Sequence, residues 1–133
     1  MSVRGLKGLA TAFQRAPGVV SERVDKAIAK NAQEMAAAAR EAAPRDKGDL
    51  IASINARPID NGWLVEATDE AAPLVEFGTP PHIAGGMFEG AKHPGQKAHP
   101  FFWTSYRANR KRFRRRNARA VKIAISEAGL DDA

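Results

Sequence analysis

The chain has 133 residues, 44% apolar and 27% charged, a length and mix that suit one domain around one buried core. The lack of cysteine excludes disulfides, thiolate metal sites and thiol chemistry. No stretch approaches the roughly 20 apolar residues of a membrane-spanning helix, and Arg4, Lys7 and Arg15 interrupt any secretory leader. The expectation is therefore a single soluble domain over residues 1–133, with no membrane partner. The net charge of +6 is unevenly spread: residues 1–89 carry 10 Lys+Arg against 12 Asp+Glu, whereas residues 90–133 carry 11 against 3. A basic block confined to the last third points to a polyanion or to an acidic protein surface.

Residues 1–16 read as an N-terminal arm or short helix, with Leu6, Leu9, Ala10 and Phe13 on one side. The simplest role for such an arm is to lie on the chain's own core. Pro17-Gly18 breaks it. From Val19 to Ala43 a helical stripe runs through Val20, Val24, Ile28, Met35, Ala39 and Ala42, with Glu22 and Lys26 placed to pair on the outer side, and Pro44 stops it.

Leu50, Ala52, Ile54 and Ala56 alternate with Ile51, Ser53, Asn55 and Arg57, which predicts a strand. Asn61-Gly62 predicts a type I′ hairpin turn, with both residues at positive φ, and Trp63 to Ala67 is the partner strand. Ala71 to Phe77 fits a short helix or a strand equally. Residues 80–97 form the body of a long Gly/Pro/His-rich loop, expected to be a contact element or a mobile arm.

Residues 101–128 predict a second long helix, with Gly129 as its C-cap. Phe102, Trp103, Tyr106, Phe113, Ala120, Val121 and Ala124 share its apolar face. Arg107, Lys111, Arg114, Arg115 and Arg119, with Lys122, form a basic face opposite, and Arg110 and Arg116 flank the apolar stripe. Between residues 90 and 126 there is no acid to neutralise this face, unlike an ordinary solvated helix. Its readings are a polyanion contact, an acidic-protein contact or a merely solvated face. The fold class is α+β, with long N-terminal and C-terminal helices on a small antiparallel sheet.

No catalytic constellation emerges, so no enzyme and no cofactor is expected. His82, His93 and His99 are spaced too widely for a zinc pair, which predicts no metal, and Gly85 to Lys92 misses the phosphate-loop pattern.

Three ordered stretches remain: Ala43-Pro44-Arg45-Asp46-Lys47-Gly48-Asp49-Leu50-Ile51-Ala52-Ser53-Ile54, then Ala72-Pro73-Leu74-Val75-Glu76-Phe77-Gly78-Thr79, then His99-Pro100-Phe101-Phe102. Together they resemble the neck and tail-completion (minor tail, head–tail joining) proteins of long-tailed bacteriophages, a group similar to the lambda tail protein Z. Ala71 and Ala72 stand where that group commonly carries an aromatic residue.

The resemblance implies a structural virion protein at the head–tail junction that completes or terminates the tail. It would be a homo-oligomeric ring, a hexamer to match the tail tube, with head-completion and tail-tube neighbours. Transient contact with packaged double-stranded DNA and passage through the host cytoplasm during assembly are implied with it. Its motif and assembly positions here are Pro44, Gly48, Leu50, Ser53, Ile54, Glu76, Phe77, Gly78, Thr79, Pro100, Phe101 and Phe102. Among these, Gly48 and Gly78 would permit tight turns, Glu76 would be held at a subunit or loop contact, and Pro100 would start the last helix. The alternative from a different class is a small nucleic-acid-binding protein using the basic helix on phosphates.

Overall fold

The computed structural model describes residues 17–83 and 90–129, with side chains from residue 22 onward. The Leu6 to Phe13 segment and the centre of the 80–97 loop lie outside the described residues. The elements are α1 (Pro17–Ala42), α2 (Gly48–Ser53), β1 (Ile54–Ile59), β2 (Gly62–Ala67), α3 (Ala72–Phe77), β3 (His82–Ile83), β4 (Lys92–His93) and α4 (Phe102–Glu127). The fold is α+β, as the two helical stripes and the hairpin signal predict.

Pro17 sits in the first turn of α1, where a missing N–H costs nothing. The Ala43 N–H still bonds the Ala39 carbonyl (3.0 Å), and Pro44 prevents a further turn. The buried positions of α1 are Ala27, Asn31, Ala32, Met35, Ala36 and Ala39, whereas Val24, Ile28 and Ala42 are only half-buried. The stripe is thus rotated from the expected one toward the alanines. Small side chains let α4 and the sheet approach the α1 backbone closely, and the larger aliphatics then fall at the margins of the contact.

α1 and α4 run antiparallel, as Arg23 meets Glu127 while Glu34 meets Arg116. β1 and β2 cover another side of α1. The principal core joins Ala36, Ala39 and Ala43 to Leu50, Ile54, Ala72, Val75 and Phe101, and a smaller cluster surrounds Ala124 with Val24 and Ile125.

Residues 48–53 are helical, not extended. Leu50 and Ile54, four apart, are both buried, and Ile51 on the supposed polar face of a strand packs on the same core. The Ser53 hydroxyl donates to the Leu50 carbonyl (2.8 Å) and closes the turn. With apolar residues at 50, 51, 52 and 54, period two was no better a fit than a helical turn.

The hairpin forms, one residue out of the predicted turn. Ile54 pairs with Ala67 and Ile59 with Gly62, which makes Asp60-Asn61 the connecting pair. Only glycines adopt positive φ among the described residues, so Asn61 does not, and the turn is not type I′. This register keeps Ile54, Ala56, Val65 and Ala67 together on the core side; a slip of one residue would turn one strand's set outward.

Candidate functional site

The second motif stretch resolves into helix α3 for local reasons. The Asp69 carboxylate accepts the Ala71 N–H (2.7 Å), Pro73 lies in the first turn, and Gly78 ends the helix at φ +72°. A Cβ on Gly78 would meet the Ala98 nitrogen and the Gln96 oxygen at 2.7 Å each, so both φ and space require glycine there. Thr79 exchanges two backbone hydrogen bonds with Gln96 (2.8 and 2.9 Å), and His82-Ile83 pairs with Lys92-His93. The expected long loop is therefore a β-arm with a paired stem. Gly95 at its base, φ +84°, lies against the Thr79 carbonyl with no room for a side chain.

Glu76 is the centre of the arrangement. It is 6% exposed, and its carboxylate accepts the backbone N–H groups of Phe101 (2.9 Å), Phe102 (2.9 Å) and Trp103 (3.1 Å). An α-helix leaves four N–H groups unsatisfied at its start, and a negative charge there is favoured by the helix dipole. The carboxylate is thus held inside the subunit, as the cap of α4. Pro100 leads into the helix and Phe101, 1% exposed, fills the core beside Val75. Gly48, by contrast, has ordinary φ and open space, so no tight turn depends on it.

The three motif stretches converge. Ala43, Leu50 and Ile54 from the first, Ala72 and Val75 from the second, and Phe101 from the third belong to one cluster. Phe102 packs on it, Pro44 is half-buried, and the Ser53 hydroxyl closes α2. Phe77 is 69% exposed.

α4 carries two opposed kinds of surface. On the α1 side, the Glu34 carboxylate holds Arg116 in a two-point pair (2.9 and 3.0 Å) and Arg112 at 3.0 Å. Arg116 also donates to Asn31 (2.8 Å), whose amide reaches Asn117 (2.8 Å) and the Phe113 carbonyl (3.3 Å). The Arg116 hydrogen bond, with the positive charges of Arg116, Arg112 and Lys30, holds the Glu34 carboxyl below the usual carboxylate range despite some desolvation. Further along, the Arg23 guanidinium pairs with Glu127.

Arg107, Lys111, Arg114, Arg115 and Arg119 are all exposed, and none makes an ion pair among the described residues. Arg110, expected beside the apolar stripe, is exposed too.

The apolar face of α4 is narrower than its sequence suggests. Phe113, Ala120 and Ala124 are buried, but Trp103 is 47% and Tyr106 40% exposed. Phe101, Phe102, Trp103 and Tyr106 form a run of edge-to-face contacts, with neighbouring centroids 5.2–6.3 Å apart. Among the described residues no three His, Cys, Asp or Glu side chains are placed to share a metal ion. His82 and His93 stack at 4.7 Å, and His99 donates to the Ala42 carbonyl (3.1 Å).

The family model described as "Bacteriophage HK97-gp10, putative tail-component" matches residues 7–80, more than half of the sequence. The chain belongs to this family. The match contains α1, the hairpin and the first two motif stretches, and stops before the third. Its members are bacteriophage tail components, which is the coarse role of the chain. No curated protein and no solved structure gives a match. No described helix is long and apolar enough to cross a membrane.

Motif reading did not reach Glu34, Arg112 or Asn31. The one available signal was Asn31, a polar side chain between Ala27 and Met35 in an otherwise apolar stripe.

Proposed function

We propose that this tail component is a non-enzymatic virion protein of the head–tail junction, similar to the lambda tail protein Z. As one domain over residues 1–133 it completes or terminates the tail as a homo-oligomeric ring, a hexamer by resemblance. Head-completion and tail-tube proteins are its neighbours in the virion, after assembly in the host cytoplasm.

The observation that carries this reading beyond the family is the division of cations on α4. Arg112 and Arg116 share the Glu34 carboxylate within the subunit, while Arg107, Lys111, Arg114, Arg115 and Arg119 are exposed and lack carboxylate partners among the described residues. In a closed ring each interface joins two different patches, which must be complementary. An outward cationic strip on one subunit suits an acidic surface on a neighbouring virion protein.

The second reading, favoured by the same strip, is contact with the phosphates of duplex DNA. It ranks behind because a channel that passes DNA is served by weak contact, whereas an exposed strip of Arg107, Lys111, Arg114, Arg115 and Arg119 would grip phosphate at low salt. The two separate in one experiment on the Arg114→Glu, Arg115→Glu double variant. Loss of head–tail joining with little change in DNA affinity supports the protein-facing role. Loss of a steeply salt-dependent DNA affinity supports the second reading. Normal joining and normal DNA binding overturn both. Cross-linking in intact virions that finds no ring overturns the oligomeric part.

A further inference from the structure

Helix α3 turns an apolar side outward. Ala72, Val75 and Glu76 are buried, whereas Pro73, Leu74 and Phe77 are exposed, Phe77 to 69%. Val75 lies in the core and Glu76 is bonded to the start of α4, so Phe77 stands on a fixed base. Exposed apolar side chains gathered in one place mark a contact surface, whereas scattered ones need no explanation.

A groove of about 330 Å³ opens between α1, β2 and the first turns of α4, walled by Ile28, Met35, Trp63, Val65, Trp103 and Tyr106. A cavity of ~150 Å³ holds a benzene ring, so the groove has room for a phenylalanine side chain with a leucine beside it. We infer that Phe77 of one copy of this chain seats in the groove of a second copy. The inference rests on the proposed ring and names the surfaces that meet in it.

The rims of knob and groove carry opposite charge. Residues 58–83 hold five acids and no Lys or Arg. Asp69 and Glu70 lead directly into α3. Glu70 is exposed and makes no ion pair among the described residues, and Asp69 uses one carboxylate oxygen on the Ala71 N–H. On the groove side, Arg107 follows Trp103 by one helical turn and Arg110 follows Tyr106 by one. Both are exposed and make no ion pair among the described residues. An acid-rimmed apolar knob thus matches a base-rimmed apolar groove on the same chain. Opposite rims fix the register of such a contact, and the seated aromatic holds it.

Within one chain the match is out of reach. Phe77 borders a separate hollow of about 190 Å³ with Pro73 and Trp103 and does not line the groove. The bonds at Glu76 keep α3 where it is. The knob that fills the groove therefore comes from another copy. Repeated head to tail, each copy gives α3 to one neighbour and receives α3 from the other, an arrangement that can close a ring.

The chain lacks cysteine, so a single thiol can be placed at either surface. Phe77→Cys and Tyr106→Cys are made in separate full-length chains with different tags, then mixed. Under mild oxidation the mixed disulfide is expected well above either like pair. Like pairs alone, or free thiols, overturn the inference.

Sedimentation over a range of concentrations gives the second measure. Phe77→Asp is expected to weaken self-association at least about 30-fold at unchanged helix content, since Phe77 is exposed. Glu70→Arg and Arg110→Glu are each expected to weaken it about tenfold at low salt, and together in one chain to recover most of the loss. Parent-like association of Phe77→Asp, a parent that stays monomeric, or charge reversals that simply add overturn the inference. A mixed disulfide in two-subunit particles that grow no further sinks the ring and leaves this contact standing. Rings in virions carrying Phe77→Asp do the reverse.

Discussion

The two faces of α4 use the same residue type for opposite ends. Arg112 and Arg116 lie over α1, share the Glu34 carboxylate and help fix how the two long helices meet. Arg114 and Arg115, one or two positions away in sequence, are exposed and have no carboxylate among the described residues. A helix turns about 100° per residue, so adjacent arginines see different neighbours. The comparison teaches that the number of cations in a segment says little about function. What matters is how many are already engaged by carboxylates of the fold, since those contribute structure and the rest are left to attract a partner.

The sharpest contrast is between two adjacent residues, Phe113 and Arg114. Phe113 is buried at the α1–α4 seam, and Phe113→Ala is expected to cost about 3–4 kcal/mol in urea unfolding. A cost below about 1 kcal/mol would break the view that this seam is a packed interior.

Next comes Glu76, whose three hydrogen bonds hold the start of α4 and so set the angular position of both faces. Glu76→Ala should destabilise by about 2–3 kcal/mol, because buried N–H donors lose a charged acceptor. Glu76→Gln, which keeps one acceptor oxygen, should fall between Ala and the parent in the same measurement.

The seam's ion cluster is worth less. Glu34→Gln should cost about 1 kcal/mol near neutral pH, since the pairs are partly exposed. Its pH dependence sharpens the comparison. The folded chain holds the Glu34 carboxyl below its ordinary value of 4.5, so between the two values the unfolded chain binds more protons. The contribution is complete above about 4.5 and is lost as pH falls through the depressed value. Unfolding curves of parent and Glu34→Gln should accordingly converge in acid; a gap that stays constant down to low pH would exclude this electrostatic origin.

The smallest stability effect belongs to the outer face. Arg114→Ala with Arg115→Ala should move stability by no more than about 0.5 kcal/mol, as is usual for exposed positions without special contacts. A large loss there would mean that these arginines are structural after all and would erase the distinction between the two faces.

The elements that could be read correctly in advance are those whose signal is local and repeated. Two long amphipathic stripes, stopped by Pro44 and Gly129, produce α1 and α4, and Gly62 does lie at the end of a hairpin. Over Leu50 to Ser53 the predicted strand is a helical turn, because apolar residues on both faces leave periodicity undecided over a few positions. The hairpin turn was placed one residue late because register is set by which side chains reach the core, not by the turn dipeptide alone.

The α+β class, the presence of both long helices and the concentration of positive charge on the last one are legible in the sequence alone. These follow from periodicity and composition, which depend on near neighbours in the chain. Which arginines Glu34 engages, and that Glu76 caps a helix beginning 26 residues later, emerge only from the packing of distant segments. The same holds for Trp103 and Tyr106, which line an open groove instead of the core. Each of those outcomes depends on pairing between segments far apart in sequence, and helical phase cannot say what stands opposite a given face.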